Sequence, residues 1–277
     1  MTTRRNFLAQ TGAVAMGTLI LPSFTLTSRT EKDLGVQLYT FRDAMQADAK
    51  GTLEKIANLG ITQIESARSQ KGNYYGLTPK EMKQVCKDLG MTLRSGHVHM
   101  DENWEDTMQQ AVDSGQDYLI VSTMPSEGQT IDNYKKVAEA FNKAGKQCKD
   151  HGLKFGYHNH NYEFDKVDGK VLYDVLLDNT DADLVHMELD LGWVVASGND
   201  PMDYFNRYEG RFPLWHLKDM DLAKKESTEF GKGSLPLEDI LDHKKESGLK
   251  YIFIEQEEYA DNPFDSMQYN LDYLKQM

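Results

Sequence analysis

From Leu34 onward, short apolar runs alternate with amphipathic segments at an interval of about 30 residues. The runs "LGVQLYTF", "ITQIESA", "MTLRSGHVHM", "DYLIVST", "LKFGYHNH", "ADLVHMELDLGWV", "FPLWHLKDM" and "KYIFIEQEE" predict strands. Between and after them, "DAKGTLEKIANLG", "TPKEMKQVCKDLG", "NWEDTMQQAVDSG", "TIDNYKKVAEAFNKAGKQCKDHG", "GKVLYDVLLDNT", "DPMDYFNRYEG", "LPLEDILDHKKESG" and "DSMQYNLDYLKQM" predict helices. Thr78 followed by Pro79 starts one of these helices, and Gly90 ends it. Strict alternation implies a parallel sheet with crossover helices, and eight repeats imply closure into a single-domain (β/α)8 TIM barrel of the α/β class. An open doubly wound sheet would want a glycine-rich phosphate loop after an early strand, and "VQLYTFRD" after the first strand contains no glycine.

Composition narrows the partners. The chain has 277 residues, 39% hydrophobic and 27% charged, with a formal charge of −13. That acidity excludes a phosphate-backbone partner, which requires a basic surface. The first residues do not fit the barrel pattern. "MTTRRNFLAQTGAVAMGTLILPSF" places Arg4 and Arg5 before an apolar run too short to span a bilayer, which is the form of a twin-arginine export signal. The expected organisation is therefore a cleaved leader over residues 1–30 and a barrel over 31–277, with cleavage between Phe24 and Glu31 and a periplasmic mature protein. No membrane insertion is expected once the leader is gone, and the mature chain is open to forming a homo-oligomer. Cys86 and Cys148 have no metal spacing and are expected to be unpaired and inert.

Active sites of such barrels lie at the C-terminal ends of the strands. Those ends carry Gln37, Tyr39 and Arg42; Glu65; His97 and His99; His158, His160 and Glu163; Glu188 and Asp190; His216, Lys218 and Asp219; and Glu255 and Glu257. Period-two alternation puts Asp190 on one face with Glu188, His216 with Lys218, and Glu255 with Glu257. With these inward, an imidazole and two carboxylates converge. Adding Glu163 gives a mixed oxygen and nitrogen set, Glu163, Asp190, His216 and Glu255. Such a set suits one divalent ion, Mn, Mg, Co or Zn, with positions left open for substrate.

The segments "YHNHNYEF", "ELDLGWV", "HLKDMD" and "FIEQEEY", in this order on strands five to eight, resemble the sugar phosphate isomerase/epimerase family of the xylose isomerase-like barrel superfamily. "GVQLYTFRD" on strand one is similar as well. The resemblance implies the same four metal ligands. It has one departure. In the epimerases the strand-five glutamate lies within the strand, whereas here histidines take that place and Glu163 follows the strand end with the opposite parity. Glu163 serves only if the loop curls inward; His160 is the other candidate.

The expected chemistry is proton abstraction beside a metal-bound carbonyl. Glu163 and Glu255 would act as the acid/base pair, His97, His160 and Lys218 would bind hydroxyls, and Tyr39 and Trp193 would stack on the sugar. Export and the scarcity of cations at the mouth point to a non-phosphorylated sugar or keto-sugar, handled by an isomerase or epimerase. A keto-sugar or inosose-type lyase or dehydratase shares every site residue. A non-catalytic sugar-binding protein is a further alternative, one that would bind no metal.

Overall fold

Eight parallel strands close into a barrel in the computed structural model, which describes residues 34–277. The export leader and the domain boundary at residue 31 lie outside the described residues. The strands are β1 (Leu34–Gln37), β2 (Gln63–Ser66), β3 (Thr92–Val98), β4 (Tyr118–Val121), β5 (Lys154–His158), β6 (Val185–Asp190), β7 (Leu214–Leu217) and β8 (Tyr251–Ile254). Each pairs with its neighbours in sequence, and β8 closes on β1 through Leu34 opposite Ile252. The single-domain TIM barrel read from the periodicity is the observed fold.

The crossover helices form where capping and amphipathic spacing coincide. They include α1 (Ala49–Asn58), α2 (Pro79–Asp88), α3 (Trp104–Ser114), α4 (Ile131–Asp150) and α5 (Leu172–Asn179). In α2 the Thr78 side chain accepts from the Glu81 N–H while the Glu81 carboxylate accepts from the Thr78 N–H, a reciprocal capping box. Along α4, Tyr134, Val137, Ala138, Phe141, Ala144, Gly145 and Cys148 are buried, a spacing of three and four that lays one stripe on the barrel. Cys86 and Cys148 are buried and unpaired, as expected.

Strand alternation divides the interior in two. Val185, Met187 and Leu189 of β6, Trp215 and Leu217 of β7, and Ile252 and Ile254 of β8 face the helices and join the main core. Tyr118, Ile120, Leu214 and Phe253 form a separate apolar plug inside the barrel. Two glycines make room for it. A Cβ on Gly156 would lie 2.5 Å from Ile120 Cδ1, and one on Gly35 would lie 2.9 Å from Phe253 Cδ1. Above the plug, the same inward positions turn polar.

Two departures bear on the mouth. β6 stops at Asp190, and "LGWV" turns at once into a short helix, α6 (Leu191–Ala196), because Asp190 Oδ1 accepts the Trp193 N–H at 2.9 Å. The loops after β5 and β7 each carry a two-stranded hairpin. The first turns at Asp168-Gly169, where both residues have positive φ, the sequence signature of a tight hairpin turn.

Candidate metal centre

Seven strands deliver titratable side chains to one end of the barrel. His158 ends β5, Asp190 ends β6, His216 lies in β7, and Glu255 follows β8. Each of these four offers one ligand atom within 4.8 Å of the others. His216 Nδ1 is 3.0 Å from Glu255 Oε2 and 3.9 Å from Asp190 Oδ2, and His158 Nε2 is 3.6 Å from Asp190 Oδ2. All four residues are buried.

Two of these atoms lack hydrogen bonds. His158 Nε2 is buried without a partner. Asp190 Oδ2 receives no well-directed hydrogen bond either, although the Lys218 ammonium lies 3.0 Å away. Unpartnered buried polar atoms are costly unless something else binds them. Burial, reinforced by His97 and His216, pushes the His158 imidazole well below its ordinary value, so it carries a free lone pair. Burial would raise the Glu255 carboxyl, but Lys218 and His216 outweigh it and keep the group ionised. Two imidazole nitrogens and two carboxylate oxygens fit a divalent transition ion, and the unpartnered His158 Nε2 is one of the four donors.

Beneath them lies a second layer. His216 Nε2 is 2.6 Å from Glu65 Oε1, and His97 Nε2 is 2.6 Å from Glu188 Oε2. The cross-distances, His97 to Glu65 and His216 to Glu188, are each 3.3 Å. The two imidazoles stack with centroids 5.2 Å apart and planes 7° from parallel. Gln37 Nε2 donates to Glu65 Oε1 at 2.8 Å. Burial raises Glu65, but His97 and His216 outweigh it and hold that carboxyl below its usual range. Burial and the neighbouring Glu65 push Glu188 well above its usual range, so the two carboxyl groups take opposite protonation states. Burial would lower His216, but Glu188 and Glu255 raise it to about 10. Its Nδ1 faces Asp190 and Glu255, where a bound ion would displace the Nδ1 proton, and its Nε2–H is donated to Glu65. This is the outer carboxylate support common to metal-binding histidines.

Lys218, 1% exposed, is the cation of the site. Its Nζ is 3.0 Å from Asp190 Oδ2, 2.7 Å from Glu255 Oε2 and 2.6 Å from Glu257 Oε1. Burial would lower its pKa, but these carboxylates outweigh it and keep it an ammonium. Asp219, next to it in the chain, accepts the N–H groups of Met220, Gly231, Gly233 and Leu235 and clamps the loop after β7.

The strand-five expectation is corrected. Glu163 is fully buried but, among the described residues, shares no group of ligand atoms within 4.8 Å of one another with Asp190, His216 and Glu255. Its Oε1 accepts from the Tyr157 hydroxyl and its Oε2 from the His160 N–H at 2.9 Å. The cause is parity. Tyr157 points outward from β5 into the helix-side core, and the 3-10 turn Tyr162–Phe164 brings Glu163 onto that side. His158, which points inward, takes the vacated position. His160 remains half-buried at the rim, with its Nδ1 3.9 Å from Glu163 Oε1.

A cavity of about 320 Å³ opens above the layer. Tyr39, His97, His160, Trp193, Lys218 and Glu255, all expected at the site, line it. Asp190 and His216 are not among its lining residues. Sequence reading assigned no role to Arg68, Thr123 or Glu257, which also line it, nor to Glu65 and Glu188 underneath. The inward parity that Glu188 shares with Asp190 was the available signal. No helix among the described residues is long and apolar enough to cross a membrane.

Comparison with known proteins agrees with the barrel fold. A family model described as a xylose isomerase-like TIM barrel matches residues 53–277. An inosose dehydratase of Clostridium beijerinckii is 29% identical over 165 residues, covering 52% of this chain and 55% of that protein. The chain thus spans about half the length of the curated relatives it matches. Two crystal structures of sugar phosphate isomerase/epimerase proteins from Parabacteroides distasonis superpose closely. One has TM-score 0.78 at 28% identity, over 87% of this chain and 97% of that one. The other has TM-score 0.79 at 25% identity, over 92% and 98%.

Proposed function

Because the chain belongs to the xylose isomerase-like TIM barrel family, we propose that it is a divalent-metal-dependent enzyme that removes a proton next to the carbonyl of a non-phosphorylated keto-sugar and eliminates a neighbouring substituent. The observation that carries this reading is the convergence of His158, Asp190, His216 and Glu255, with the buried His158 Nε2 lacking a hydrogen-bond partner among the described residues. A divalent ion bound there would polarise the carbonyl and acidify the adjacent C–H.

The chain's own residues supply the rest. Glu255, ionised and lining the cavity, accepts the proton. His97, anchored through Nε2 to Glu188, reaches the same cavity and returns a proton to the departing oxygen. Lys218 forms ion pairs with Glu255 and Glu257. The cavity's cations are engaged with protein groups. Lys218 is surrounded by carboxylates, and Arg68 contacts His99 and Asp101. Little remains to hold a phosphate, which supports a neutral sugar.

Two observations favour elimination over isomerisation. Glu163, needed as the second carboxylate of a two-base epimerase, is turned away, and the curated relatives include inosose dehydratases. Isomerisation or epimerisation is the second reading, favoured by the likeness to the Parabacteroides proteins. One experiment separates them. Metal-loaded protein is incubated with keto-sugars and inososes in D₂O. An unsaturated product supports elimination, and deuterium uptake into an intact sugar supports isomerisation. Metal content is measured alongside, where His158→Ala should lose the ion and Glu163→Gln should keep it. Retention by the first variant and loss by the second would restore the glutamate ligand.

A further inference from the structure

The cavity over the candidate metal centre is lined by Ser122 and Thr123 of the loop that follows β4. A second cavity, of about 240 Å³, adjoins it there. Thr123 lines both. His160 of the first stacks on Tyr162 of the second, with ring centroids 5.3 Å apart and planes 10° from parallel. The Tyr162 hydroxyl lies 3.3 Å from His160 Nδ1. One shared residue and one stacked pair therefore place the two spaces side by side.

The walls of the second cavity are held in place before any ligand arrives. Asn133, at the start of α4, accepts from Ser126 Oγ at 2.7 Å and donates to Gly128 O at 2.9 Å. The hydroxyl of Tyr134, a fully buried residue, donates to Gln129 Oε1 at 2.9 Å. That bond fixes the Gln129 carboxamide and commits its oxygen, so its N–H groups are left for a ligand. Glu127 adds an acceptor, Met124 an apolar surface and Tyr162 an aromatic one. No lysine or arginine lines this cavity. An aromatic surface beside fixed donors and acceptors suits a polyhydroxylated ring, and the single carboxylate disfavours an anion. The first cavity alone is at the small end of ligand sites, which run from about 300 to 1,000 Å³.

We propose that the substrate is a two-ring glycoside, with the reacting keto-sugar in the first cavity and its glycosidic partner in the second. This rests on the function proposed above and specifies its substrate class. The partner ring is bonded through its glycosidic oxygen to the carbon β to the carbonyl; as Glu255 takes the α proton and a C=C bond forms, that C–O bond breaks and the oxygen takes a proton from His97, so the second cavity is a leaving-group site.

The test is calorimetric titration of the manganese-loaded protein with glucose as a one-ring probe and with cellobiose, maltose and trehalose as two-ring probes. At least one disaccharide should bind tenfold or more tightly than glucose. Glu127→Trp, which places bulk in the second cavity from an exposed position, should bring that disaccharide to the level of glucose and leave glucose unchanged. Gln129→Ala should do the same in part. Equal affinity for one and two rings overturns the two-ring substrate and leaves the metal-dependent keto-sugar reading standing. An advantage that survives Glu127→Trp overturns the assignment of the second cavity. Failure of every sugar to bind protein that holds its ion overturns both.

Discussion

Lys218→Met offers a test in which two signs must come out opposite. The ammonium sits within 3.0 Å of Asp190 and closer still to Glu255 and Glu257, and it is 1% exposed. Methionine has similar length and flexibility but no charge. Removing one partner of a buried ion pair costs about 3–5 kcal/mol, because the remaining charges stay buried. The metal-free variant should therefore lose about that much stability. A divalent ion drawn to the same oxygens is repelled by Lys218, so the variant should bind it more tightly, by tenfold or about 1.4 kcal/mol. The thermodynamic cycle then requires the stability loss to be smaller in saturating metal than in chelator by the same amount. Urea unfolding of both proteins, in chelator and in excess manganese, measures all four corners. An equal loss in both media would refute the shared-oxygen argument. Weaker metal binding by the variant would make Lys218 a positioning group for the ligands instead of their competitor.

The other predictions are briefer. Glu65→Gln should leave metal stoichiometry unchanged but weaken affinity about 10–100-fold, roughly 1.4–2.7 kcal/mol, because His216 loses the charged acceptor of its Nε2–H; chelator competition checks this. His186 lies at the opposite end of β6 from Asp190, and burial, with Lys154 and Arg211 nearby, lowers its pKa from the ordinary 6.5 to about 4. Between those values the unfolded chain binds the extra proton and the folded one does not, so stability should fall as pH drops from 6.5 towards 4. His186→Gln should flatten that slope in urea midpoints measured across the window. For the proposed export leader, replacing Arg4 and Arg5 by lysine should leave uncleaved precursor in the cytoplasm, detectable by fractionation; normal export of that variant would rule out a twin-arginine route.

The fold was legible because its two periodicities do not compete. Stripes such as Tyr134, Val137, Ala138 and Phe141 can only be a helix face, and "YLIV" of β4 is buried on both sides as a parallel strand must be. What escaped notice was short and local. The helix after Asp190 depends on one side-chain cap, which a continuing apolar run conceals. The hairpin at Asp168-Gly169 was readable from its turn chemistry, but its strands are two residues each and leave no periodic trace.

The site shows where such reading stops. Parity brought Asp190, His216, Lys218 and Glu255 to one mouth, because a strand's alternation persists to its last residue. Parity also argued against Glu163, and the ligand set retained it only by letting a loop curl inward. The structure shows the loop curling the other way, since an outward Tyr157 offers the carboxylate a buried hydroxyl and the His160 N–H completes its bonding. With that glutamate satisfied outside the barrel, the inward place belongs to His158, which is neutral. The exchange has a chemical consequence. A neutral ligand in place of a carboxylate removes one negative charge from a group that already contains Lys218, leaving Asp190 and Glu255 to carry the charge facing any bound ion. The same exchange removes the second base that a two-carboxylate epimerase would use. On the proposed function, proton return would fall to a group on the remaining walls, and His97 is an imidazole of the cavity hydrogen-bonded to the buried Glu188.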